Sequence, residues 1–311
     1  MLINEMKNGD QVEGFFLLQD ANAKQTAAGK RFLSAVLADC TGSIDAMVWD
    51  YTGPVSPADM GAVIKIRGIV SEFRGTPQIT VDRIRLAEDA DQYDRKALVP
   101  TAPIDAEDAY RKIEQLIGSI SDADYAGVCG EMLRKYGDRF RTIPAAKSVH
   151  HGFLNGLLMH TYFMLQTADY LAELYSSVID RSLLLAGTLL HDFAKIEEFN
   201  TSPLGLVTDY SVKGQLLGHL TMGALEAARV ADELQIPEEK SVLLQHMILS
   251  HHGEPEFGAA VRPVCAESEL LSMIDMIDSR MEIYRETLQE LPVGEFSKRI
   301  FALDRRVYHH H

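Results

Sequence analysis

Only three cysteines, Cys40, Cys129 and Cys265, occur in 311 residues, and no two of them form a CxxC pair. That scarcity argues against a zinc ribbon and against a disulfide framework. No stretch reaches the roughly 18 uninterrupted apolar residues of a membrane span. The opening MLINEMKNGD lacks the basic segment and apolar core of a signal peptide. A cytoplasmic protein with no membrane partner is therefore expected. Cations are also in deficit, with 30 Lys and Arg against 45 Asp and Glu, a net charge of −15. Phosphate contacts need local Lys and Arg, so global attraction to a polyanion is excluded unless bound metal ions offset the acids. The deficit is uneven: residues 1–88 hold nine Lys/Arg against eleven Asp/Glu, a balance of −2, and the remainder carries −13. A local basic face on the first part stays open.

What is present describes a globular protein of ordinary composition, 46% hydrophobic and 24% charged, and long enough for two domains. Within residues 1–88, VEGFFLLQD, KRFLSAVLAD, SIDAMVWD, AVIKIRGIVSEF and PQITVDRIRL are short, partly alternating and rich in β-branched and aromatic residues. Gly29, Thr41-Gly42, Gly53-Pro54 and Gly75-Thr76-Pro77 punctuate them as turns. Five strands, with SPADM between the third and fourth, is the element order of an OB-fold, although strand count alone also fits an SH3-like barrel. Residues 89–104 have few apolar anchors and include Pro100 and Pro103, which reads as a linker. From residue 105 to 308 apolar residues recur at three- and four-residue spacing, predicting an all-helical second domain. His309, His310 and His311 read as a tag remnant and are set aside.

The other eight histidines all lie between residues 150 and 252, mostly on apolar helices, and Asp275 and Asp278 follow on the last long helix. Any one of them reads as an ordinary core histidine, and the dipeptide His191-Asp192 is a weak signal alone. Together they are harder to bury, because clustered imidazoles and carboxylates are costly unless paired or bound to a cation. Helices of a bundle can project such ligands into one interior site. Mixed His and Asp without Cys favours Mn, Fe, Co, Ni or Zn. Asp192 could bridge two ions, so one or two are open. Lys195 lies three residues beyond Asp192 and shares a face with it on a continuing helical turn, suited either to a phosphate oxygen or to an ion pair with Asp192 or Glu198. On the first domain, Lys30, Arg31 and Arg74 lie at strand ends or turns, and Trp49 is an available stacking aromatic; these are the candidate nucleic-acid contacts.

HHGFLNGLLMHT, LLLAGTLLHDFAKIEEF, GQLLGHLTMG, HMILSHHGEPEFG and MIDMIDSRM follow one another in this order. With the barrel-like N-terminus, they resemble the YhaM-type 3′–5′ exoribonucleases, which join an OB-fold to an HD-type metal phosphohydrolase domain. The resemblance spans nearly the whole chain; HDFAK stands where the family has HDxGK, so Ala194 replaces a glycine. It implies a multidomain protein, an all-β OB barrel followed by an all-α HD bundle. It also implies His160, His191, Asp192 and Asp275 as a first metal set, with Asp278 the competing last ligand. His219, His251 and His252 match a second set. His150 and His151, ahead of the first ligand helix, either touch substrate phosphate or only cap that helix, His151 being the candidate phosphate contact, and His246 reads as structural. The catalytic pair is Asp192 and Lys195. The implied reaction is metal-activated hydrolysis of single-stranded RNA, and of DNA as a further substrate, to nucleoside 5′-monophosphates. Mn or Co is the expected ion, with Fe, Ni, Zn and Mg as alternatives. An HD phosphohydrolase of nucleotides or cyclic dinucleotides with an accessory OB domain is the competing reading. A bundle face left bare by bulky helices would fit a homo-oligomer.

Overall fold

The computed structural model describes residues 1–311 except 27, 28, 74, 147–151 and 203. The chain divides into two compact units, one comprising Met1–Thr101 with Thr201–Thr208, the other Ala102–Asn200 with Asp209–His311. The segment from 89 to 104, expected as a linker, is shared between them. Residues 89–101 cluster with the barrel because Leu98 and Val99 are buried and Arg85 ties down Asp91.

The first unit is a closed barrel of β1 (Gln11–Gln25), β2 (Arg31–Asp39), β3 (Gly42–Trp49), β4 (Val63–Phe73) and β5 (Thr76–Leu86). Strands run β1-β2-β3-β5-β4 around the barrel and close on β1; β3 and β5 pair in parallel, and the other neighbouring strands pair antiparallel. That order is the OB-fold's and removes the SH3-like alternative. Alternation does the work: Ile44, Ala46 and Val48 of β3 point inward with Leu33, Ala35 and Leu37 of β2 and Ile64 and Ile66 of β4. The intervening residues face out.

The second unit is helical: α1 (Ala106–Gly118), α2 (Ala123–Thr142), α3 (Gly156–Leu174), α4 (Arg181–Leu190), α5 (Lys195–Glu198), α6 (Val212–Glu233), α7 (Glu238–Ser250) and α8 (Ala266–Glu290). Between α5 and α6 in sequence comes a short hairpin, β6 (Phe199–Thr201) and β7 (Val207–Tyr210), of which Thr201–Thr208 belongs to the first unit. Asp105, Asp122, Asp180 and Ser211 start α1, α2, α4 and α6 by accepting first-turn backbone N–H groups, which otherwise lack partners. α4 is buried from Ser182 to Leu190, so it is the central helix, apolar all round. Among the described residues no helix is long and apolar enough to cross a membrane.

Candidate metal centre

α4 ends at Leu190 with His191 as its cap, and a turn through Asp192 leads into α5. Both residues are buried where α3, α7 and α8 also contribute side chains. His160 comes from α3, His251 and His252 follow directly on α7, and Asp275 lies on α8. His219 enters from α6, which is kinked one residue earlier: Gly218 has φ +69° and ψ 160°. A residue with a Cβ rarely adopts that conformation.

Four imidazoles are fixed from behind. His191 Nδ1 donates to the Thr188 carbonyl at 2.7 Å, and His251 Nδ1 to the Ile248 carbonyl at 2.8 Å. His160 Nδ1 meets Asp278 Oδ2 at 2.7 Å, and His219 Nδ1 meets Glu198 Oε1 at 3.1 Å. Each ring therefore turns Nε2 toward the centre, the arrangement that orients histidine ligands in metal sites. Glu198, buried, also accepts the His219 backbone N–H at 2.8 Å.

The groups converge as two sets sharing Asp192. On one side His160 Nε2 lies 3.3 Å from His191 Nε2, 3.3 Å from Asp275 Oδ1 and 3.7 Å from Asp192 Oδ2. On the other, Asp192 Oδ1 lies 3.4 Å from His219 Nε2 and 3.6 Å from His251 Nε2, and His252 groups with these two histidines. Asp192 Oδ1, His219 Nε2, His251 Nε2 and His252 Nδ1 are buried with no hydrogen-bond partner. Orphaned buried acceptors are costly unless something else satisfies them. Donor atoms 3.3–3.7 Å apart are spaced as atoms about 2.1 Å from a common centre would be. The residues fit a divalent cation on both sides of Asp192.

The electrostatics agree. Burial disfavours a charged His160, yet Asp275 and Asp278 overcome it and push its pKa up to about 10. Burial also opposes ionisation of Asp192, but Lys195 and His191 outweigh it and hold the carboxyl well below the usual range. Burial, reinforced by His191, keeps His251 neutral and able to donate a lone pair. Lys195 donates to Asp192 Oδ2 at 2.7 Å, and that carboxylate sustains its ammonium against burial. An opening of about 150 Å³ leads to the site past His160, Lys195, His252, Asp275 and Ser279.

The HD domain family matches residues 157–280, and an OB-fold nucleic acid binding domain matches residues 21–87. The chain is an OB-fold barrel followed by an HD domain. HD domains bind divalent metals, and this one marks a metal-dependent phosphohydrolase; joined to the OB-fold, it is a nucleic-acid-related one. Among solved structures the chain is similar to the second OB-fold domain of replication protein A from Methanococcus maripaludis, with 21% identity over 30% of this chain and 98% of that one (TM-score 0.24). A crystal structure of a replication protein A domain from the same organism matches at 24% identity over 28% of this chain and 94% of that one (TM-score 0.25). An OB domain from Thermoplasma acidophilum matches at 15% identity over 30% and 90% (TM-score 0.23).

Thus His160, His191, Asp192, Lys195, His219, His251, His252 and Asp275 are brought together around the HD pair. Asp278 stands behind His160 rather than facing the other donors. His246 is outside the cluster, accepting the Val264 N–H at 3.1 Å. His150, His151 and Arg74 lie outside the described residues. On the barrel, Lys30 pairs with Asp50 at 3.4 Å, Arg31 is exposed at the start of β2, and Trp49 is half exposed with its ring 5.2 Å from Phe32. Glu198 and Gly218 were not singled out from the sequence as site-building residues. Their signal was faint: an acid seven residues after a histidine, and a glycine directly before one.

Proposed function

We propose that this protein is a YhaM-type 3′–5′ exoribonuclease, releasing nucleoside 5′-monophosphates from single-stranded RNA, with DNA as a further substrate. The observation that carries the hydrolytic half is Asp192, whose two oxygens each face a separate set of imidazole nitrogens, those of His219 and His251 on the Oδ1 side being buried with no hydrogen-bond partner. His160, His191, Asp192 and Asp275 would hold one ion, and Asp192, His219, His251 and His252 a second; mixed N and O donors suit Mn or Co. Bound there, divalent ions supply an activated water and offset the charge of a phosphodiester transition state.

The chain's own residues do the rest. Lys195 uses one N–H on Asp192 and has two more for a phosphate oxygen at the opening. Asp278 and Glu198 keep His160 and His219 turned inward. A polymeric substrate is supported by the OB barrel, a scaffold that binds single strands through cations and stacking aromatics. Met273, Ile277 and Met281 form an exposed apolar stripe on α8 that supports self-association.

5′-labelled RNA with Mn²⁺ or Co²⁺ should give a descending ladder, abolished by chelator and by Asp192→Ala. Intact internal fragments, or full activity in excess chelator, would rule the reading out. The small opening also admits the phosphate of a nucleotide or cyclic dinucleotide. That alternative predicts turnover of free nucleotides at rates matching RNA.

A further inference from the structure

On the outer face of the barrel, β4 and β5 place four cations in a square. Lys65 lies directly opposite Arg85, and Arg67 directly opposite Arg83. Like charges facing each other across an antiparallel pair are destabilising. Two members are relieved: Lys65 reaches Glu13 at 3.6 Å, and Arg85 makes a two-point contact with Asp91 at 2.6 and 2.8 Å. Arg67 and Arg83 are exposed and have no ion pair among the described residues.

This arrangement depends on a β-bulge. Val81 pairs with Gly68, and the register then shifts so that Arg83, not Asp82, faces Arg67. A regular ladder would have set Asp82 against Arg67 and made an ion pair. It would also have turned Arg83 inward and Ile84 outward. The bulge keeps Ile84 and Leu86 on the core side, and both pack there. Gly68 permits it, because a Cβ at that position would lie 2.4 Å from the Thr80 carbonyl. Bulges of this kind re-aim side chains and gather at functional surfaces.

The four cations line a groove of about 590 Å³ that Trp49 also lines. Trp49 points outward from β3 and is 51% exposed, so a ring face is available beside the cations. Cations that track a backbone, next to an aromatic that stacks a base, are what a single strand requires.

We infer that the outer β4–β5 face, Arg67 and Arg83 with Lys65 and Arg85 flanking them, binds the phosphates of single-stranded nucleic acid, one base stacking on Trp49. The inference rests on the nuclease reading for its biological sense and deepens it by naming where the strand lies on the barrel. These residues differ from Lys30, Arg31 and Arg74, which the sequence put forward, and share only Trp49 with that set.

The test uses the full chain and a fluorescent oligouridylate in excess EDTA, with the oligonucleotide's length verified afterwards. Arg67→Gln/Arg83→Gln should bind about tenfold more weakly, and its slope of log affinity against log salt should be shallower by about 1.4, roughly 0.7 for each lost phosphate contact. Trp49→Ala should weaken binding by a similar factor with the salt slope unchanged. Arg134→Gln, on α2, serves as the control and should change neither. Melting temperature should hold or rise in the double variant, since facing like charges are removed. Hydrolysis of bis(p-nitrophenyl) phosphate, which spans no barrel surface, should stay at the wild-type rate in Mn²⁺. Unaltered affinity and salt slope in the double variant would overturn the inference. So would equal affinity for a duplex, or full displacement of the strand by millimolar inorganic phosphate. Should the wild-type protein hydrolyse no phosphodiester while the variant still loses binding, the catalytic reading falls and the strand site stands.

Discussion

A buried histidine can be a packing residue or a ligand, and what decides between them is the atom behind the ring. His246 accepts a backbone N–H from Val264 and contacts Ser268, so its polar capacity is spent within the fold. His219 is different: Glu198 engages Nδ1 and leaves Nε2 buried without a partner. Replacing Glu198 by Ala removes the acceptor for both the ring and the backbone of His219. Second-sphere partners of this kind are typically worth 10–100-fold in metal affinity. Glu198→Ala should therefore lower the affinity of one ion by about that factor and spare the other, as read by Mn²⁺ titration with paramagnetic resonance. Equal loss of both ions, or of neither, would contradict the assignment of His219 to a separate set.

Elements place these residues where no side-chain contact could. α4 carries an apolar surface on every side and so takes the centre of the bundle, and its C-terminal end delivers His191 and Asp192. α6 could not deliver His219 as a straight helix; Gly218 breaks it at a positive φ. Ala at Gly218 would either adopt a backbone conformation that is essentially reserved for glycine, at a cost of about 1–3 kcal/mol, or straighten the helix and swing His219 away. Denaturant titration of Gly218→Ala should show that loss, and metal analysis should show one ion fewer. A variant as stable as the wild type and fully loaded would mean the kink does not set the ligand. The sequence could not reveal this kink, since a glycine inside a helical period reads as merely tolerated. The β4–β5 bulge was hidden for a related reason: the alternation of β5 is interrupted at Asp82, and an interruption does not say which residue is extruded. The HD pair, His160 and Asp275 stood out as candidates through the order of their motifs, which resembles that of a known family; a helical period alone would have read each as a core residue. The barrel's strands were legible from alternation, but its closing order was not, since the parallel β3–β5 pairing joins residues distant in the chain.

At the scale of the whole molecule, a chain of net charge −15 can hold a polyanion only where it concentrates its attraction locally. The cations of β4 and β5 and the ion-binding cluster of the HD domain are two such places, and each unit holds one. Ligation is also tied to the integrity of the helical unit. His191 and His251 bond the Thr188 and Ile248 carbonyls at the ends of α4 and α7, where helix carbonyls otherwise lack partners. The same two side chains thus serve as end caps and as donors to the centre. Opening either helix end and releasing the cation become one local unfolding event, which the cation opposes more strongly as its free concentration rises above its Kd. Amide hydrogen exchange in the last turns of α4 and α7 should slow when Mn²⁺ is added and recover when it is chelated, while the barrel amides keep their rates. The lifetime of the ion in the protein would then be a measure of how often two helix ends fray.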